Sequence, residues 1–222
     1  MPGSANTAIT FISKLLKGKD EMKKIPTLFK REFKDHKVVK VLPEFTDELC
    51  KKAYFLGQPT IKFDGSCCAI INGKFFKRYD AKKGKAVPDN AIKCQEEPDP
   101  VTGHLPCWVP VDENNPADKW FIKAYQLFEK ENGSPIDGTY EAVGKHFQGN
   151  PYGFEFDILV QHGKDYPFFD KRLKSFEELK EFLKYFNHEG LVYWLEGQPI
   201  CKIKRTDFGY EWPIIKRSDE KC

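Results

Sequence analysis

A chain of 222 residues with 40% hydrophobic and 31% charged residues has enough apolar material to bury a core. Aromatics at 14%, including 19 Phe, argue against disorder, and no apolar run approaches the ~20 residues of a membrane helix. Seven cysteines without a Cys-x-x-Cys pair, and five scattered histidines, argue against a disulfide framework and a zinc site.

Residues 1–24 are read as an N-terminal extension, with a frayed lysine-rich helix over Ser13–Lys24. The apolar stretch Thr7–Leu16 is short and lacks a small-residue cleavage site, so it is not read as a secretory signal. A cytoplasmic or nuclear protein is therefore expected. The main domain is placed at 25–222. Val38–Leu42 reads as a strand, and Thr46–Tyr54 as a short helix with Thr46 as its N-cap. Strands at Thr60–Phe63, Ser66–Asn72 and Lys74–Tyr79 follow, the last two joined by the hairpin signal Asn72-Gly73. Cys67 and Cys68 fall in this run and point to opposite faces.

Residues 84–116 are rich in Pro, Asp and Asn and read as a long loop. A helix is expected over Ala117–Lys130, then strands at Tyr140–Val143 and Phe154–Val160 around the loop Gly144–Gly153. Ser175 with Glu178 forms a capping box that opens a helix reaching about Asn187. Leu191–Leu195 and Pro199–Ile203 pair as a hairpin about Glu196-Gly197. Hairpins mixed with a few helices define an α+β class.

Chemistry concentrates in five places. Lys62 enters an Asp64-Gly65 turn at a strand end, where desolvation and nearby cations would favour a neutral, nucleophilic amine. Arg78 lies on the strand returning from the Asn72-Gly73 turn. Glu141 and Glu189 are carboxylates next to glycine turns and apolar strands. Lys202 and Lys204 share one face of a strand, because the strand period is two. A lysine nucleophile, further cations for phosphates and carboxylates for a divalent metal are what phosphoryl-type transfer needs. Ten Lys/Arg against four Asp/Glu over Lys14–Lys40, and six against one over Lys74–Lys85, are candidate phosphate-facing patches. Solvated surface lysines are the alternative.

In order, KFDG (62–65), GTYEAVG (138–144), FEFDI (154–158), EGLV (189–192) and KIK (202–204) resemble the motifs of the covalent nucleotidyltransferase superfamily. Its members are DNA ligases, RNA ligases and GTP-dependent mRNA capping enzymes. IPTLFKREF (25–33), GHLPCWVPV (103–111), GNPYG (149–153) and KIKRTDFGYEWP (202–213) are most similar to the small 5′–3′ RNA ligases of vertebrates, bacteria and large viruses. The resemblance implies a nucleotidyltransferase (ATP-grasp-like ligase adenylation) domain of antiparallel sheets flanked by helices. Eighteen residues follow Lys204, too few for an OB-fold domain, so none is expected.

By that resemblance Lys62 takes AMP from ATP, with Mg²⁺ or Mn²⁺ held at Glu189. Arg78 contacts ribose or the RNA 5′-phosphate, Glu141 the ribose hydroxyls, and Phe156 stacks on adenine with Phe154 as a rival. Lys202 and Lys204 hold the α-phosphate and help pyrophosphate leave. Asp64 and Gly65 shape the turn, and Arg31 and His162 are read as structural. The implied reaction joins an RNA 5′-phosphate to a 3′-hydroxyl through lysyl-AMP and adenylylated RNA, in RNA repair. A capping guanylyltransferase and a catalytically inactive RNA-binding protein are the alternatives.

Overall fold

Strand alternation and turn chemistry organise the protein into eleven strands and three helices among the described residues. These are residues 24–35, 37–100, 102–168 and 173–214 of a computed structural model. In chain order they are β1 (Phe29–Lys34), β2 (Lys37–Phe45), α1 (Glu48–Leu56), β3 (Gln58–Lys62), β4 (Ser66–Ile71), β5 (Lys74–Ala81) and β6 (Ile92–Lys93). There follow β7 (Leu105–Pro110), α2 (Lys119–Asn132), β8 (Gly138–Val143), β9 (Ile158–Gln161), α3 (Phe176–Tyr185), β10 (Gly190–Leu195) and β11 (Gln198–Lys204). Two 3₁₀ turns, Pro116–Asp118 and Arg205–Phe208, precede α2 and follow β11. The class is α+β, and β1–β2, β3–β10–β11 and β4–β5–β7 all pair antiparallel. No helix among the described residues is long and apolar enough to cross a membrane. The helix expected over Ser13–Lys24 lies outside the described residues, Lys24 excepted.

The chain forms two compact units that interleave along the sequence. One comprises Ile25–Gly65, Val143–Phe156 and the described residues from Val160 onward. Its centre is a three-stranded sheet in the order β11-β10-β3. One face of this sheet carries Leu191, Tyr193, Cys201 and Ile203, which pack with Cys50 and Ala53 of α1 and Leu179 and Leu183 of α3. Period-two alternation therefore commits Lys202 and Lys204 to the opposite face. The β1–β2 hairpin contributes Phe29 and Val41 to the same core, and Leu28 just before it is buried there too. Its first strand was not among the expected elements, because its charged residues mask the alternation and bulges interrupt its register.

The other unit comprises Ser66–Ala142 and Asp157–Leu159, with Lys24, and carries the sheet β6-β7-β5-β4-β8-β9. Asn72 and Gly73 adopt positive φ of 51° and 71° in the β4–β5 turn, and Asp137 accepts both of their backbone N–H groups. The expected loop at 84–116 is corrected here, since it contains β6 and β7. Pro106 and Pro110 disguise β7 as a loop, yet Leu105, Cys107 and Trp108 are buried along it. Trp108 packs with Ala69, Ile71, Phe76 and Cys94. The buried Asp118 accepts from Lys77 and from the backbone N–H of Asp112, fixing the entry to α2.

Two further corrections concern local hydrogen bonds. Asp47, not Thr46, caps α1: its carboxylate accepts from Cys50 N at 2.7 Å, while the Thr46 hydroxyl donates to Thr27 O. Such a cap contributes about 1 kcal/mol. The strand expected at Phe154–Val160 begins only at Ile158. Asn150 accepts from Phe154 N and donates to Phe154 O, both at 2.9 Å, taking the groups a strand ladder would use. The Ser175–Glu178 capping box is present, with Ser175 Oγ accepting from Glu178 N at 3.3 Å, and α3 ends at Tyr185.

Candidate active site

Register places the lysines. Gly190 of β10 lies opposite Lys62 of β3 on one side and Lys204 of β11 on the other. Residues directly opposite across antiparallel strands share a face, so two lysines flank a position without a side chain. Val192 next along β10 lies between Thr60 and Lys202 in the same way. A Cβ on Gly190 would sit 2.0 Å from the Ile203 carbonyl oxygen, so the close approach of β10 and β11 at this row requires glycine. Trp194 Nε1 donates to Thr60 Oγ1 at 2.9 Å and ties β10 to β3.

Glu189 precedes Gly190 and is 8% exposed. Its Oε2 accepts from Lys62 Nζ at 2.5 Å, and its Oε1 lies 3.8 Å from Lys204 Nζ. Burial raises the Glu189 carboxyl above its ordinary value, the lysines pull it down, and the neighbouring Asp64 adds to the rise. Lys202 is pushed down to about 8, first by burial and then by the charges of Lys62 and Lys204. Three cations thus crowd one carboxylate, an excess of positive charge suited to an anion.

The Lys202 shift carries a pH prediction. Its pKa is lower folded than unfolded, so the charged form is disfavoured in the fold. That cost is fully present below about pH 8 and fades as pH rises toward 10.5, the ordinary lysine value. Lys202→Met is expected to raise the urea midpoint at pH 7 and to lose most of that gain at pH 10. An equal gain at both pH values would contradict the assignment.

Of the sequence-predicted residues, the three-stranded unit brings together Lys62, Glu189, Lys202 and Lys204. Phe156 belongs to the same unit but is 67% exposed and outside any strand. Phe154 is half-buried, its ring 5.5 Å from Tyr152. Arg78 and Glu141 lie in the other unit. There Glu141 of β8 is directly across from Cys67 of β4. The Cys67 thiol is raised by burial and then by Glu141, against the pull of Arg78. Arg78 Nε also donates to Asp80 at 3.0 Å. Arg31, read as structural, pairs with the buried Asp207 at 3.2 Å.

Sequence reasoning gave no role to residues that hold these groups in place. Arg205 is buried and donates to the carbonyls of Leu183, Lys184, Phe186 and Glu211. Its own N–H donates to Glu189 O at 2.9 Å. Tyr152, His188 and Trp212 surround the Lys62 turn. The only sequence signal for Arg205 and Trp212 is their position in the KIKRTDFGYEWP stretch.

No family model matches the chain. It is similar to RNA ligase 1 of Pongo abelii, at 25% identity over 86% of this chain and 82% of that protein. RNA ligase 1 of Rattus norvegicus is 24% identical with the same coverage. RNA ligase 1 of Danio rerio is 27% identical over 62% of this chain and 47% of that protein. All three relatives thus carry the name RNA ligase 1, and each is 24–27% identical to this chain.

Proposed function

We propose that the protein is an ATP-dependent RNA ligase that joins an RNA 5′-phosphate to a 3′-hydroxyl through lysyl-AMP and adenylylated-RNA intermediates, in RNA repair. The observation that carries this reading is the convergence of Lys62, Lys202 and Lys204 about Glu189, in a chain similar to proteins named RNA ligase 1. In the first step Lys62 Nζ loses a proton and attacks the α-phosphorus. The N–P bond forms as the P–O bond to pyrophosphate breaks. Lys202 and Lys204 neutralise charge on the α-phosphate and on the departing pyrophosphate. The RNA 5′-phosphate then displaces Lys62, and the 3′-hydroxyl of the second end displaces AMP.

Glu189 is the residue that would hold Mg²⁺ or Mn²⁺. Its buried carboxylate is a hard oxygen donor of the kind such an ion takes, and because Lys62 and Lys204 face its two oxygens here, the ion would enter with the nucleotide's phosphates, which offset that positive charge. The metal, when bound, supplies Lewis-acid stabilisation of phosphate oxygens. By the family resemblance Arg78 is assigned to the ribose or the RNA 5′-phosphate, Glu141 to the ribose hydroxyls, and Phe156 to adenine.

The test is intact mass after incubation with ATP or GTP and Mg²⁺. A gain of one AMP is the expected result. A GMP adduct would replace this reading with capping-type chemistry. No adduct with either nucleotide, or with Mn²⁺, would leave an RNA-binding protein without transfer activity.

A further inference from the structure

The turn that carries Lys62 is held from outside its own strand. The Asp64 backbone N–H donates to Tyr152 Oη at 2.5 Å, and Trp212 Nε1 donates to Asp64 Oδ2 at 2.8 Å. Phe63, 4% exposed, lies among the rings of Tyr152, Tyr166 and His188, with centroids 5.1, 5.0 and 5.4 Å away. The Trp212 ring stands 5.6 Å from that of Tyr152. Arg205, between Lys204 and Trp212 in the chain, is itself anchored on the carbonyls of α3 and on Glu211 O. The segment after β11 therefore returns to the nucleophile's turn from a fixed origin.

A strand end followed by Asp-Gly has several low-energy turn conformations. Two hydrogen bonds to one residue, one to its backbone and one to its carboxylate, select among them. A bond to a charged acceptor is the stronger kind.

We propose that Trp212 is a positioning residue: its indole N–H fixes the Asp64 carboxylate and, through it, the turn that aims Lys62 Nζ at the nucleotide. This rests on the reading of Lys62 as the nucleotide acceptor. Small displacements of a nucleophile from its attack geometry are costly in rate, so the effect falls on the transfer step rather than on ATP capture.

The experiment is a double-mutant cycle on the full chain. Trp212→Phe keeps a ring against Tyr152 and removes the donor; Asp64→Ala removes the acceptor. Single-turnover adenylation is followed over a range of ATP with Mg²⁺, alongside urea denaturation. Trp212→Phe is expected to slow the limiting rate about tenfold while half-saturating ATP moves less than twofold. In the Asp64→Ala background the same substitution is expected to cost little more. A wild-type rate in Trp212→Phe, full additivity in the double variant, or a loss that merely tracks the unfolded fraction would overturn the proposal.

A wild-type protein that takes up no nucleotide would sink the ligase reading separately. The tie is then read by acetylation of Lys62 with an N-hydroxysuccinimide ester, mapped by peptide mass against the exposed Lys52. A changed Lys62 rate in Trp212→Phe at constant Lys52 rate supports the positioning role, and an unchanged one overturns it.

Discussion

Lys62→Ala is expected to take up no AMP, yet to seal RNA that already carries a 5′-adenylate. On the proposed reading the nitrogen of Lys62 would form the bond to phosphorus in the first step, and the other cations would only neutralise charge around it. Removing a covalent nucleophile costs on the order of 10⁴-fold or more in rate, so no adduct should be seen by intact mass. The third step needs no lysyl intermediate, and the Lys202, Lys204 and Glu189 side chains that would serve it remain. Lys62→Ala also strips Glu189 of its 2.5 Å partner, leaving Lys204 at 3.8 Å. Lys62→Arg is the control, since it keeps a charge for Glu189 but cannot present a neutral amine. Both variants are expected to lack the adduct. Adenylation of Lys62→Arg, or of Lys62→Ala at another lysine, would remove Lys62 from its role.

Arg205→Ala is expected to lower stability by about 2–4 kcal/mol, read from the urea midpoint. The last carbonyls of a helix have no partner within it. In α3 Leu183 O and Lys184 O receive the Arg205 guanidinium at 2.5 and 3.1 Å, together with Phe186 O at 2.7 Å. The cation also meets the negative end of the helix dipole. Tyr210 stacks beyond it, 6.0 Å from the guanidinium carbon. Truncation leaves several part-buried carbonyls unpaired together, which outweighs the surface area lost. Arg205→Lys is expected to recover only part, because a point charge cannot reproduce the planar fork. The loss should reach the site as well, since the Arg205 N–H closes on Glu189 O. An unchanged midpoint would show that water replaces the guanidinium without cost.

Turns and faces were the most legible parts of this chain. Asn72-Gly73 and Glu196-Gly197 both adopt the positive φ of a two-residue hairpin turn, which Gly takes freely and Asn readily. Lys202 and Lys204 share a face because Cys201 and Ile203 are drawn to the core. What failed were readings in which a neighbour supplies the decisive bond. Phe154 looks like strand, but Asn150 takes its backbone groups. Leu105–Pro110 looks like loop, but β5 and β6 accept it on both sides.

The residue types of the candidate site and their chain order come from the amino-acid sequence, because local pattern alone puts a lysine at a strand end and a carboxylate before a glycine. Their meeting is a tertiary matter. Lys62 and Glu189 are 127 residues apart, and no local preference encodes which strand lies beside which. The β3–β10–β11 register converts separate motifs into one cluster by opposing Lys62 and Lys204 across Gly190. The roles of Arg205 and Trp212, though both lie in a family-like stretch, were hidden for the same reason: an arginine or a tryptophan acquires a role only when folding brings carbonyls or a carboxylate within hydrogen-bond reach.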